Sequence, residues 1–244
     1  MSPTRHDPAG PVRRPLTHGE RVDWHLHSDN QLISPGLGVL RVFTPAGSWV
    51  VPPHRAVWVP AGVAHAHQAH GPTELRCLAF AAALNPLSLD RPTVLALTPL
   101  LRELIAALTG PQALGRATLE QAVLEQLRAA PELPLGLRTP RDPRLRDLAG
   151  LLAADPADPR TLAQLGAAVG AGERTLSRLF RRETGLSFPQ WRAQLRLQHA
   201  LALLAEGRSV TAVAAAAGYR SPSAFIEAFR LAFGTTPGRY QRES

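Results

Sequence analysis

The 244-residue chain contains no lysine, and all 27 of its basic side chains are arginine. It has a single cysteine, Cys77, which excludes a disulfide framework and any multi-cysteine zinc or iron–sulfur site. Cys77 lies in the apolar run LRCLAF and reads as a small buried hydrophobe. Long hydrophobic runs are absent too, since stretches such as Leu78–Leu84 fall far short of the roughly 20 residues a membrane span needs. The opening stretch MSPTRHDPAGPVRRPLTHGE carries no hydrophobic block, so no signal peptide is expected. These absences lead us to expect a cytoplasmic protein with no membrane partner.

What is present is enough apolar material for a core, at 45% hydrophobic residues, and a net charge of +8. The charge is uneven. Residues 1–159 hold 15 Arg against 14 Asp and Glu, whereas residues 160–244 hold 12 Arg against 5 Glu. A basic excess confined to the last third points either to a nucleic-acid or acidic-surface partner there or to a solvated basic face.

Composition also divides the chain. Residues 1–17 are polar and proline-rich and are expected to be disordered. Residues 18–85 read as short strands (GVLRVFT, GSWVVP, RAVWVP, ELRCLAF) broken by Gly and Pro, the pattern of a sandwich or small barrel. Residues 86–140 hold two amphipathic helices, within 98–130, followed by the proline-rich linker PELPLGLRTPRDP. Residues 141–244 read as all-helical, with starts near Pro143, Thr161, Glu173, Phe188, Ser209, Pro222 and Pro237.

Two stretches of the helical region echo each other: TLAQLGAAVGAGERTLSRLFRRETG (161–185) and SVTAVAAAAGYRSPSAFIEAFRLAFG (209–234). Each has a short small-residue helix, a glycine-containing turn, and a helix with apolar residues at i and i+4. That is the helix-turn-helix arrangement. Ser221-Pro222 is a strong helix start. The intervening segment 187–207 reads as a helix of about 18 residues, or roughly 27 Å. Such a rod can set two recognition helices about one DNA turn, ~34 Å, apart.

The run from Thr175 to Tyr240 resembles the DNA-binding domain of the AraC/XylS family of bacterial transcription regulators. The markers are L-S-R-L-F…E-T-G at 176–185, R-L…A…L-L at 196–204, A-G-Y at 217–219, F…F…F-G at 225–234 and T-P-G-R-Y at 236–240. Gly172 stands where the family usually has a capping Ser and Gly166 where it usually has Ala. Both are expected to weaken the first unit, since Gly costs about 1 kcal/mol against Ala inside a helix. The resemblance implies recognition positions at Arg174, Ser177 and Arg178 in the first unit and at Ser223, Ala224 and Glu227 in the second, beside the cap Ser221. Arg174 and Arg178, at i and i+4, share a helix face, and arginine pairs bidentately with guanine. Arg181 and Arg182 suit phosphate contacts. Glu227 either accepts from cytosine N4 or pairs with Arg230 at i+3.

Six of the nine histidines lie between His25 and His70. His25 and His27, at i and i+2, share a strand face. The pattern Gly19, His25-x-His27, Gln31, Gly38 resembles the first motif of cupins, and Pro60-Ala-Gly62-x-x-His65 resembles the second. This resemblance implies a small β-barrel with His25, His27, Gln31 and His65 clustered inside it. Gln31 replaces the usual Glu, and Ala69 stands where cupins often have Asn. Three imidazoles suit Zn, Ni, Co, Fe or Cu, but a metal-free effector pocket lined by histidines is an open alternative. His54, His67 and His70 are read as loop or surface residues.

The expected fold class is therefore α+β multidomain: a cupin-like barrel followed by an all-α domain with two helix-turn-helix motifs. The expected function is sequence-specific regulation of transcription, as activator or repressor. The partner is double-stranded DNA, a small molecule or metal in the barrel modulates binding, and the family resemblance implies a homodimer. A metal-dependent cupin oxygenase or isomerase is the alternative. Against an enzyme stands the lack of any acid/base or nucleophile constellation beyond the histidines.

Overall fold

A computed structural model describes residues 4–5, 11–111, 115–133 and 136–243. The chain divides into two compact units, the first ending at Gly136 and the second spanning Leu137–Glu243.

The first unit is a sheet with two helices. Its strands are β1 (Thr4–Arg5), β2 (Val12–Leu16), β3 (Arg21–Leu26), β4 (Asn30–Thr44), β5 (Gly47–Val51), β6 (Arg55–Val59), β7 (His65–Phe80), β8 (Thr93–Ala96) and β9 (Glu132–Leu133). The helices α1 (Pro99–Thr109) and α2 (Arg116–Arg128) follow β8. The hydrogen-bonded path runs β1-β3-β7-β4-β6-β8-β9, and β2 and β5 pair off it with β7 and β4. The two long strands work by halves. The first part of β4 pairs with β6 and its last part with β5, while β7 pairs with β3 at one end and β2 at the other.

This corrects the expectation of a cupin-like closed barrel. The path has two ends, at β1 and β9, and the sheet does not close on itself. Alternating, Gly- and Pro-punctuated strands encode a two-faced sheet, but they do not encode which edges meet. Residues 12–16, assigned from composition to a disordered segment, form β2 instead. Every residue of β2 has a partner on β7, and Leu16 is buried. Thr4 and Arg5 of that segment form β1, and residues 1–3 and 6–10 lie outside the described residues.

Period-two alternation fills both faces of the sheet. Leu32, Ala56, Trp58 and Leu95 turn to one side, where they pack with Leu101, Leu104, Ile105 and Leu108 of α1 and Val123 and Leu127 of α2. Their neighbours Ile33, Val57, Val59 and Val94 turn to the other side and meet Leu16, Val42, Trp49, Val51 and Leu75. The two helices thus close the core of the sheet.

The second unit contains α3 (Pro143–Ala154), α4 (Leu162–Ala168), α5 (Glu173–Thr184), α6 (Phe188–Ala205), α7 (Val210–Ala216), α8 (Pro222–Phe233) and α9 (Pro237–Glu243). Local chemistry fixes these boundaries. Asp142, Thr161, Ser209 and Ser221 each accept a backbone N–H from the first turn of their helix. One cluster packs α3, α4 and α5 on the start of α6 through Leu148, Leu165, Leu179, Phe180 and Trp191. At the other end an aromatic cluster runs from Tyr219 through Phe225 to Phe229, which packs on both Phe233 and Tyr240, with contacting ring centroids 4.5–5.7 Å apart.

Candidate nucleic-acid interface and histidine cluster

Helix α5 has two chemically distinct faces. Leu176, Leu179 and Phe180 are buried, whereas Arg174, Arg178, Arg181 and Arg182 are all exposed. Ser177 is partly buried between them. Of the four arginines, Arg182 pairs with Glu183 at 2.9 Å. That carboxylate also accepts the backbone N–H groups of Arg141 and Asp142, tying α5 to the start of α3. In the second helix-turn-helix motif Ser223, Ala224 and Glu227 are exposed on α8 opposite Phe225 and Phe229. Ser221 is exposed, and its hydroxyl oxygen accepts from the Ala224 N–H at 3.2 Å. Among the described residues no ion pair joins Glu227 to Arg230.

Gly166 was expected to be a weak point and is instead a close-packed one. A Cβ there would stand 2.3 Å from the Ala171 carbonyl oxygen, because α4 and its turn approach that closely. Gly172, the N-cap of α5, makes no side-chain cap and has open space around it.

A second feature lies in the first unit. The rings of His25, His27 and His65 each offer a nitrogen, and these three nitrogens lie within 4.8 Å of one another. A β-bulge in β3 between Val22 and His25 sets His25 directly opposite His65 on β7. Their ring centroids are 4.3 Å apart, and His27 sits 5.0 Å from His25 and 5.6 Å from His65. Nδ1 of His25 lies 2.6 Å from the Asp23 carbonyl and Nδ1 of His65 lies 2.9 Å from the Val63 carbonyl. A carbonyl only accepts, so each Nδ1 carries a proton, and in a neutral ring the lone pair is then on Nε2. Nε2 of His65 is buried with no hydrogen-bond partner. Burial, with His25 and His27 close by, pushes the His65 pKa down to about 4. The ring is therefore neutral at neutral pH, the form that binds a metal.

Sequence reasoning missed a fourth imidazole. His67 was read as a surface residue, yet it is buried on β7, with ring centroids 5.1 Å from His65 and 5.4 Å from His25. Its Nδ1 is buried without a partner, and burial drives its pKa well down. The signal was available, because His65-x-His67 repeats the same-face spacing of His25-x-His27. Gln31 is buried at the start of β4, between Val59 of β6 and Ala79 of β7.

Comparison with known proteins explains the helical unit. Residues 165–243 match a family model described as a helix-turn-helix domain. The HTH-type transcriptional regulator NimR of Escherichia coli K12 is 38% identical over 224 residues, covering 88% of this chain and 81% of that protein. The chain belongs to the AraC/XylS family of helix-turn-helix transcriptional regulators. The regulator RipA of Corynebacterium glutamicum is 37% identical over 101 residues, 41% of this chain and 30% of its own length. A solved regulator from Chromobacterium violaceum, described as carrying an AraC-type DNA-binding domain, is 27% identical with a TM-score of 0.40, covering 41% of this chain and 91% of its own. As a member of this AraC/XylS family the protein is a sequence-specific DNA-binding regulator and not an enzyme. Among the described residues no helix is long and apolar enough to cross a membrane.

Proposed function

We propose that this regulator binds its promoter through α5 and α8, and that its DNA affinity answers to a divalent transition metal held by His25, His27 and His65. The observation that carries the metal reading is the convergence of three imidazole nitrogens, one of them a buried Nε2 without a partner. A buried acceptor left unpaired costs about 1–3 kcal/mol, and a metal ion supplies the missing bond. The Nδ1–H contacts of His25 and His65 to backbone carbonyls are the outer-shell arrangement that orients imidazole ligands. Neutral nitrogen donors with no thiolate suit Zn, Ni, Co, Fe or Cu rather than Mg or Ca.

On the DNA side, Arg174 and Arg178 read base edges in the major groove, with Ser177 between them. Arg181 and Arg182 hold phosphates at the far end of the same helix. Ser223, Ala224 and Glu227 present a smaller reading surface on α8. The first helix-turn-helix motif therefore carries most of the sequence preference, because bidentate arginine contacts discriminate by about 1–3 kcal/mol each.

The metal reading is tested on full-length protein purified without a histidine tag. One equivalent of metal is expected per chain, and His25→Ala and His65→Ala should each weaken its binding by more than about a hundredfold, the upper end for an outer-shell change. Protein that ignores Zn, Ni, Co, Fe and Cu alike would overturn it.

A further inference from the structure

The loop between α3 and α4 leads into the first helix-turn-helix unit, and the turn between α7 and α8 belongs to the second. One side chain touches both. Arg196, in the middle of α6, donates from Nε to the Pro156 carbonyl at 2.9 Å and from Nη2 to the Asp158 carbonyl at 3.4 Å. Gly218 closes in on the same guanidinium. A Cβ at Gly218 would lie 2.8 Å from Arg196 Nη2 and 2.7 Å from the Ala157 Cα, and its φ is +73°. Glycine there removes both the collision and the left-handed strain. The loop is itself rigid. The Asp158 side chain is buried and accepts from the Arg160 backbone N–H at 2.8 Å and from its Nη2 at 2.6 Å. One helical turn before Arg196, Arg192 donates to the Arg160 carbonyl at 2.7 Å.

We infer that Arg196, with Gly218 against it, is the positioning residue that fixes how far apart α5 and α8 stand, and so which half-site separation the regulator accepts. The inference rests on reading α5 and α8 as the DNA-facing helices. The guanidinium is hydrogen-bonded to the entry loop of one helix-turn-helix unit and packed by the turn of the other, where Gly218 also closes on Ala157. Shortening it, or adding a methyl group at Gly218, frees one unit relative to the other without touching either recognition surface. Arg192 reaches only the entry loop through its hydrogen bond, which makes it the control.

The test uses the full-length protein and a duplex selected by wild type from a random-sequence library, remade with one base pair added or removed between its two parts. Wild type should prefer the selected separation by roughly tenfold, the size of one mismatched base pair. Arg196→Lys and Gly218→Ala should lower that preference to about twofold or less while each still protects the first half-site in a footprint. Arg192→Gln should keep it. A uniform loss of affinity at every separation, with the preference intact, makes Arg196 a stability residue only and overturns the inference. A wild-type footprint in a single groove with no preference for separation overturns the reading of two recognition helices, and the inference with it.

Discussion

His25 of β3 and His65 of β7 face each other across a bulged ladder, ring centroids 4.3 Å apart, each with Nδ1 held by the carbonyl two residues before it. His67 adds a third buried ring to the same spot. His67→Ala should therefore alter the ligand-field spectrum of the Co-loaded protein if its ring completes the first coordination sphere. An unchanged spectrum limits His67 to packing.

The arginines of α5 should separate by role. Arg178→Ala is expected to cost about 1–3 kcal/mol on the selected duplex and to relax preference at one base pair. Arg181→Ala should weaken all duplexes alike and lower the salt slope by about one. Competition binding at several salt concentrations distinguishes them. A uniform loss for Arg178→Ala would move that residue to the phosphate class.

Two glycines of the first helix-turn-helix unit should respond in opposite directions. Gly166→Ala drives a Cβ toward the Ala171 carbonyl and should destabilise, although alanine is the better helix former. Gly172→Ser enters open space at an uncapped helix start and should stabilise by a few tenths of a kcal/mol. Denaturant midpoints of the two variants check the signs. A stabilising Gly166→Ala would show that the turn yields.

Acid should destabilise the helical unit through Asp142, which caps α3, and Asp158 of the loop before α4. The Arg144 side chain, bonded to Asp142, holds that carboxyl down from 3.8 to about 2, and Arg160 lowers Asp158 in the same way. Both carboxyls are held down on folding, so the stabilisation is complete above the unfolded value of about 4 and is lost as pH falls below it, through about 2 for Asp142. Asp158→Asn should flatten the fall in melting temperature over that window. A slope equal to that of wild type would place the acid sensitivity elsewhere.

Much of the helical unit was legible because its signals are local. Thr161, Ser209 and Ser221 mark their helix starts by side-chain chemistry, and the stripe through Leu176, Leu179 and Phe180 repeats at helical spacing. The sheet was less legible. Which half of β4 meets β6 and which meets β5 depends on partners far along the chain, and the motif-like spacing of Gly19, His25, His27 and Gln31 does not encode closure. Three of the histidines were brought together as their spacing suggested. His67 was missed because a buried strand and an exposed one share the same alternation. Arg196 was visible only as the first residue of the R-L marker at 196–204, and its positioning contacts were not, since its partners are backbone carbonyls some 40 residues away.

The most direct test of metal-responsive DNA binding is the dissociation constant of the full-length protein for its selected duplex, measured at one salt concentration with the metal stripped and with it restored. A coupled site predicts a change of about fivefold or more on restoring metal, lost in His65→Ala while Arg178→Ala keeps it. Equal affinity in both states, with the metal demonstrably bound, would contradict the account.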